Sequence, residues 1–425
     1  MARHLLIAGG GVIGLCTAYY AIHKGLRVTI VERGAPDHDS CSLGNAGMVV
    51  PSHFAPLAAP GAMALALKWM WNPESPFSVR PRLSGDLLDW GWKFMRAANA
   101  AHVARSAPLL RDLHLASRAC FEQLSARYGN EFGLVRKGLL MLCRTQHALD
   151  EEAATAEQAR RLGIPAEVLD PGQTAALDPG VRMDIVGSVH FPKDCHFSPQ
   201  RFMNCLTRES AQAGVEFAWN TEVIGWHTRG TRIEAIRTDQ GDISADEYVL
   251  ACGSWTSVAA RELQCRLPMQ AGKGYSLTLV QPRRIPTLCS ICTEARVAVT
   301  PMGSSLRFGG TMEITGLDES INMSRVRGII KVIPQYFPDF SPDDFDAIPP
   351  WRGLRPCSPD GMPYVGRTGR YVNLIVATGH AMMGMSLGPI TGKLAAETAT
   401  GEPPSIDISQ LNPDRYASSI LAGRK

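Results

Sequence analysis

The chain has 425 residues and a formal net charge of +3, from 43 Lys and Arg against 40 Asp and Glu; the charges are dispersed, which excludes a concentrated field for gripping nucleic acid. Hydrophobic residues make up 45%, as in soluble globular proteins, and no stretch reaches the roughly eighteen uninterrupted apolar residues of a membrane span. The length exceeds one compact core and predicts two domains or one elaborated domain.

The first predicted element is the strand His4-Leu5-Leu6-Ile7-Ala8, followed by Gly9-Gly10-Gly11-Val12-Ile13-Gly14 and a helix continuing over 15–25. A second strand, Arg27-Val28-Thr29-Ile30-Val31-Glu32, ends on an acid eighteen residues past Gly14. Strand, glycine turn, helix and acid within one such unit form a dinucleotide-binding fingerprint. Gly9 permits the tight turn, Gly11 lets the backbone approach a pyrophosphate, and Gly14 lets helix and strand pack closely. The helix N-terminus then faces the phosphates, and Glu32 sits where the ribose hydroxyls of an adenosine need an acceptor. The motif does not distinguish NAD from FAD.

Because the first strand begins almost at once, no secretory leader is expected and the protein is expected to be cytoplasmic. Eleven scattered cysteines read as reduced thiols of that compartment. Cys289 and Cys292 make one C-x-x-C, but no second pair stands at zinc spacing, so no metal is expected.

After Glu32, the run Ser42-Leu43-Gly44-Asn45-Ala46-Gly47-Met48 is built of small residues that keep backbone near a bound ligand. Ala62 to Trp71 is apolar and too short to span a bilayer. It reads either as a core or interdomain helix, or as a patch that dips into a membrane surface or docks a partner. Residues 86–126 and 148–162 are predicted largely helical, with a strand near Gly138 to Cys143 between them. Ser198 is a candidate N-cap, with Pro199 at the first position of a helix running to Gly214. Strands are predicted at Val215 to Trp219, at Glu247 to Leu250 closing a hairpin, and at Tyr275 to Val280, Arg296 to Thr300 and Leu306 to Thr311, the last three antiparallel. A helix over 321–337 leads through Trp351-Arg352-Gly353-Leu354-Arg355-Pro356 to strand Asn373 to Ala377. Then come Thr378-Gly379-His380-Ala381-Met382-Met383-Gly384 and a helix to Thr398.

Four separated blocks, Gly9 to Glu32, Ser42 to Met48, Gly353 to Gly361 and Ala377 to Gly384, together resemble the FAD-dependent D-amino acid oxidase and glycine oxidase family. The Gly272 to Thr278 and Ala58 to Trp71 segments sharpen the likeness to its bacterial D-amino acid dehydrogenase branch. The resemblance implies an α/β fold: a Rossmann-like FAD-binding domain with an inserted α+β substrate domain carrying a mostly antiparallel sheet. The expected boundaries are 1–85, 190–260 and 357–425 for FAD binding, and 86–189 and 261–356 for substrate binding.

Carried over residue by residue, the likeness implies that Gly9, Gly11, Val12, Ile13 and Gly14 hold the pyrophosphate, Glu32 and Arg33 the ribose, and Val223 the adenine. Ser42, Asn45, Ala46, Gly47 and Met48 then lie against the flavin side, and Gly379, His380, Ala381, Met382, Met383, Gly384 and Met385 bring amide N–H groups and a helix N-terminus to the flavin. Reduction puts negative charge there, which such donors stabilise. Arg355 is the leading catalytic candidate. A guanidinium pins a substrate carboxylate with two parallel hydrogen bonds, though an interdomain salt bridge is its alternative role. Tyr275 and His53 are second candidates for lining the substrate site, against a core tyrosine and a loop histidine. For His380 a structural contact is the alternative.

Glycine oxidase-like members carry a second arginine where this chain has Met382, which implies a more apolar pocket suited to a side chain or ring. The implied reaction moves a hydride from Cα of a D-amino acid to flavin N5. The imine then hydrolyses, or a cyclic imine forms from D-proline or a hydroxy-D-proline. Electrons are expected to leave to a quinone or another electron-transfer carrier, with peripheral membrane contact through Ala62 to Trp71 on the inner face of the membrane. The competing readings are an oxygen-using amino acid oxidase or N-methyl amino acid demethylating oxidase, an FAD-binding subunit of a larger complex, and an NAD-dependent dehydrogenase.

Overall fold

The computed structural model describes residues 2–62, 72, 74–80, 82 and 84–417. The segment read by sequence as a short apolar helix therefore lies outside the described residues, apart from Ala62. The glycine turn opens a six-stranded sheet in the order Tyr364–Arg367, Leu374–Thr378, Glu247–Leu250, His4–Ala8, Arg27–Val31 and Glu216–Ala218. All neighbours run parallel except the edge strand Tyr364–Arg367.

Side chains alternate across this sheet with period two, and both sets are buried. Leu5, Ile7, Val28, Ile30, Val249 and Ile375 face helices Val12–His23, Ala100–Arg127, Pro199–Gln212 and Gly384–Thr400. Leu6, Ala8, Val31, Leu250 and Val376 face Trp226, Ile233 and Ile236 of the three-stranded antiparallel sheet Val223–Arg229, Arg232–Thr238 and Gly241–Ser244. Covering both faces is what a parallel sheet of continuous apolar strands requires.

A nine-stranded sheet forms the second layer system. Its path runs Trp351–Cys357, Gln270–Val280, Ser305–Ile314, Val297–Met302, Cys289–Cys292, Leu139–Cys143, Gly187–Phe191 and Glu167–Leu169, with Phe77–Val79 pairing beside Met312–Ile314. Pairing is antiparallel except for Cys289–Cys292 on Leu139–Cys143 and Phe77–Val79 on Ser305–Ile314. Helix Met323–Tyr336 seals one face through Val326, Ile329 and Ile333. The other face meets Met48, Val50 and Phe54 from the nucleotide side.

The helical region 86–126 is two helices, Gly85–Ala97 and Ala100–Arg127. The second restarts at Asn99, whose side chain accepts from the His102 N–H. Its inner face packs Leu110 and Leu113 on Leu387, Ile390 and Leu394 of helix Gly384–Thr400. This segment, grouped by sequence with 86–189, is therefore built onto the nucleotide-binding sheet. Phe77–Val79, from the range 1–85, joins the nine-stranded sheet instead. Chain connectivity gave no sign of either, because both follow from long-range pairing. The strand Cys289–Cys292 puts Cys289 on the face toward Met48 and Cys292 on the face toward helix Met323–Tyr336. Thiols on opposite faces cannot share an ion or form a bond.

Helices Val12–His23 and Gly384–Thr400 touch through glycine. A Cβ at Gly392 would lie 2.4 Å from the Cys16 carbonyl carbon and 2.6 Å from the Thr17 nitrogen, and one at Gly388 would lie 2.8 Å from a Val12 methyl. Overpacking of this kind costs about 1–3 kcal/mol or more. Gly392→Ala is therefore expected to lower the urea midpoint by an amount equivalent to at least about 2 kcal/mol. Gly91→Ala, where a Cβ meets nothing within 4 Å, is expected to stabilise by about 0.5–1 kcal/mol in the same assay.

Candidate functional site

A cavity of about 610 Å³ runs along the carboxyl ends of the parallel strands, from Glu32, Arg33 and Val223 to Arg355, His380 and Met385. That volume falls within the roughly 300–1,000 Å³ of small-molecule sites. Ligands of open parallel sheets bind in this location, where helix N-termini converge.

At the nucleotide end, Gly9 has φ +107°, and a Cβ there would lie 2.5 Å from the Ala251 carbonyl oxygen. Gly14 is forced by the Gly9 carbonyl, 1.9 Å from where its Cβ would stand. Gly11 differs, since a Cβ on it would meet nothing closer than the Ser42 hydroxyl at 3.5 Å; the turn is open on the cavity side. The helix starting at Val12 has no cap from the Gly11 position, and its Val12 N–H donates to Ser42 Oγ at 3.0 Å. Glu32 accepts from the Gly10 N–H at 2.7 Å and the Gly34 N–H at 2.9 Å, which holds its carboxylate at the cavity wall. The Arg33 guanidinium lies 4.0 Å from the centroid of the Trp255 ring, a cation–π contact beside Val223.

Ser42 and Asn45 line the cavity, whereas Ala46, Gly47 and Met48 stand behind it. Gly47, at φ +68°, turns the chain under the Phe197 carbonyl, and Met48–Val49 pairs with Cys195–His196. In the C-terminal block, His380, Ala381, Gly384 and Met385 line the cavity, and Gly379 turns behind them at φ +79°. Met382 points outward with 47% exposure. Met383 packs on Leu109 and Leu110, its sulfur 3.1 Å from His114 Nε2.

Arg355 lines the same cavity from the strand Trp351–Cys357. Its Nη1 donates to the Thr311 carbonyl at 2.6 Å. Thr311 takes φ +64° beside the register break opposite Lys273 and Tyr275, a conformation that β-branched residues rarely adopt; the bulge turns that carbonyl toward the guanidinium. Across the ladder, a Cβ on Gly274 would lie 2.2 Å from the guanidinium, so glycine makes room for it. Among the described residues no carboxylate pairs with Arg355, and burial lowers its pKa from the usual value, opposed only by the Cys41 and Cys357 thiols.

The other candidates separate. The Tyr275 hydroxyl donates to Glu313 at 2.6 Å, accepts from the Asn322 N–H at 3.1 Å and does not line this cavity. His53 is also off its wall; its Nδ1 lies 3.0 Å from Ser52 Oγ, which donates to buried Asp194 at 2.5 Å. His380 Nε2 lies 2.9 Å from Thr391 Oγ1, while its buried Nδ1 has no partner among the described residues. Sequence reading missed Arg352, which joins Asp39 (2.6 Å) to Glu319 (3.2 Å) at the rim. It also missed the Asp194–Ser52 pair and Arg307, because each depends on partners remote in sequence.

Gly11 open toward the cavity, the orphaned Nδ1 of His380, two helix N-termini and the Glu32 carboxylate all fit a flavin dinucleotide. A glycine-turn parallel sheet facing a second sheet across such a cavity defines a dinucleotide-dependent oxidoreductase. The family model described as FAD dependent oxidoreductase (DAO) matches residues 4–398, and the chain belongs to that family; FAD is its cofactor. The D-amino acid dehydrogenase of Granulibacter bethesdensis is 34% identical over 420 residues, spanning 97% of this chain and 99% of the relative. The protein of the same name from Bradyrhizobium diazoefficiens is 33% identical over 425 residues, with the same coverage. Among solved structures, glycine oxidase from Geobacillus kaustophilus superposes with a TM-score of 0.77 at 22% identity, covering 98% of this chain and 100% of that one. L-proline dehydrogenase from P. horikoshii does so with 0.73 at 16%, covering 98% of each. These two likenesses establish the shared fold.

Four histidines, of which His114, His196 and His380 are buried and His53 partly so, have pKa values pushed down from 6.5, chiefly by desolvation: His53 and His196 to about 4, His114 and His380 to about 3. The unfolded chain binds these protons first, so stability is full above about pH 6.5 and falls as pH drops toward 4. Asp194, raised by burial to about 7, acts with the opposite sign and is outnumbered. Urea midpoints measured from pH 8 to 4.5 are expected to fall steeply below pH 6.5, and His114→Gln is expected to flatten the fall.

Proposed function

We propose that this FAD-dependent oxidoreductase dehydrogenates a D-amino acid, with Arg355 holding the substrate carboxylate. The observation that carries the reading is a partly buried guanidinium at one end of the cofactor cavity with no acid among the described residues to neutralise it. An isolated charge removed from water is costly unless a partner arrives, and a carboxylate is the partner whose shape matches the guanidinium fork. The names of the 33–34% identical relatives support a D-amino acid and a dehydrogenase.

In this reading Gly9, Gly11, Val12, Ile13 and Gly14 bind the pyrophosphate, Glu32 and Arg33 the ribose, and Val223 the adenine. The segments 42–48 and 379–385 enclose the flavin. When bound, FAD supplies the acceptor for the hydride that leaves the substrate Cα. Arg355, aimed by the Thr311 carbonyl and given space by Gly274, fixes the carboxylate so that Cα takes one orientation; positioning of this kind supplies much of a rate enhancement. His380, held neutral at physiological pH by burial, offers Nδ1 for a hydrogen bond without adding charge. Tyr275 and His53 act at one remove, Tyr275 by tying Glu313 to the backbone at Asn322.

The wall around Arg355 includes Leu354, Pro356, Ala377, Ala381 and Met385. This apolar setting favours a substrate with a side chain or a ring, and D-proline or a hydroxy-D-proline is the cyclic form we favour. Electrons then pass to a quinone or another carrier, in a cytoplasmic protein that touches the membrane peripherally through residues 62–71. No helix among the described residues is long and apolar enough to cross a membrane.

Anaerobic bleaching of the bound flavin by a panel of D- and L-amino acids, including D-proline and cis-4-hydroxy-D-proline, tests the reading. D-isomers are expected to bleach it; bleaching by L-isomers alone refutes the stereochemical assignment. Arg355→Lys is expected to lower kcat/KM about 100-fold, the loss of a bidentate charge-assisted contact, with FAD content unchanged.

A further inference from the structure

The loop Leu43-Gly44-Asn45 has three successive carbonyls bound by side chains of the nine-stranded sheet. Arg307 Nη1 donates to both the Leu43 and the Asn45 carbonyl at 2.8 Å. Ser276 Oγ donates to the Gly44 carbonyl between them at 3.1 Å. Arg307 is itself aimed by its Nε, which donates to Thr278 Oγ1 at 3.0 Å. The Trp351 ring closes over Gly44, where a Cβ would stand 2.0 Å from a ring carbon.

A trans peptide points its N–H opposite to its C=O. With these carbonyls drawn to the sheet, the N–H groups of Gly44, Asn45 and Ala46 face away from it, and of this loop Ser42 and Asn45 line the cavity while Leu43, Gly44 and Ala46 do not. Asn45 N–H reaches the Ser42 carbonyl at 3.4 Å; those of Gly44 and Ala46 have no partner among the described residues. Small residues give this loop no conformational preference of its own, and ordering each costs about 1–2 kcal/mol of backbone entropy. The charge of Arg307 is also uncompensated among the described residues: desolvation lowers its pKa to about 10.

We propose that Arg307, with Ser276, is a positioning clamp that fixes the 43–45 loop and so holds the cavity-lining Ser42 and Asn45 against the flavin end of FAD. The proposal rests on the cofactor assignment and extends it to a residue outside the cavity wall. The clamp acts from the substrate-side sheet on the nucleotide-side loop, so it also registers the two sheets against each other at the cofactor.

Purified full-length holoprotein is diluted, and FAD release is followed by flavin fluorescence, with visible circular dichroism of the bound flavin as a second readout. Arg307→Met is expected to weaken FAD binding about 30-fold and change the flavin dichroism, and Arg307→Lys, which lacks the Nε donor that Thr278 Oγ1 aims, to restore only part of the affinity. Ser276→Ala, a smaller change that tests the same loop should Arg307→Met fail to fold, is expected to weaken binding about fivefold, the worth of one neutral hydrogen bond. Wild-type affinity and dichroism in Ser276→Ala, or in a folded Arg307→Met, overturn the clamp. A wild-type protein that takes up no FAD overturns the cofactor assignment along with it.

Discussion

The close approach of helices Val12–His23 and Gly384–Thr400 sets the geometry on which the site depends. These helices come from opposite ends of the chain, and Gly388 and Gly392 let their backbones meet where any side chain would collide with Val12, Cys16 or Thr17. Because they lie side by side against the same sheet face, both N-termini open into one cavity, through Gly11, Val12 and Ile13 on one side and Gly384 and Met385 on the other. Two helix dipoles then point their positive ends at one ligand. Moving the helices apart would split that field.

Charge is distributed unevenly along the cavity. At the nucleotide end a carboxylate, Glu32, is held by the Gly10 and Gly34 N–H groups, as the acceptor of hydroxyl protons should be. At the other end Arg355 has no acid paired with it among the described residues, while Arg352 stands paired with Asp39 and Glu319 at the rim. Between the two ends the two helix N-termini present amide dipoles. A long ligand with hydroxyls at one end, phosphates in the middle and a reducible ring at the other matches this order. The same economy holds for Arg307, whose charge meets only carbonyls and a hydroxyl.

Much of the scaffold was legible in local sequence. The strands at His4–Ala8, Arg27–Val31, Leu139–Cys143, Glu247–Leu250 and Leu374–Thr378 lie within a residue or two of their predicted positions, because continuous apolar runs bounded by glycine or turn residues have few alternatives. Ser198 caps its helix as read. Short strands such as Glu167–Leu169, Gly187–Phe191 and Cys289–Cys292 escaped notice, since pairing and not propensity makes them strands. The long helix Ala100–Arg127 was recognised as a helix but grouped with the other sheet, because its apolar face does not say which neighbour it meets.

What the sequence determined by itself was the nucleotide end: the glycines at 9, 11 and 14 and the acid at 32 act within one strand–turn–helix unit, so their spacing alone dictates their geometry. Tertiary structure decided the rest. It showed that Tyr275 is committed to Glu313, that Met382 turns outward, that Cys289 and Cys292 part to opposite faces, and that Arg355 has no acid beside it. It also brought Arg307 to Leu43 across 264 residues of chain. The physical reason is register. In a sheet a shift of one residue sends every side chain to the other face, and a charge is free or paired only with respect to neighbours that folding brings from elsewhere in the chain.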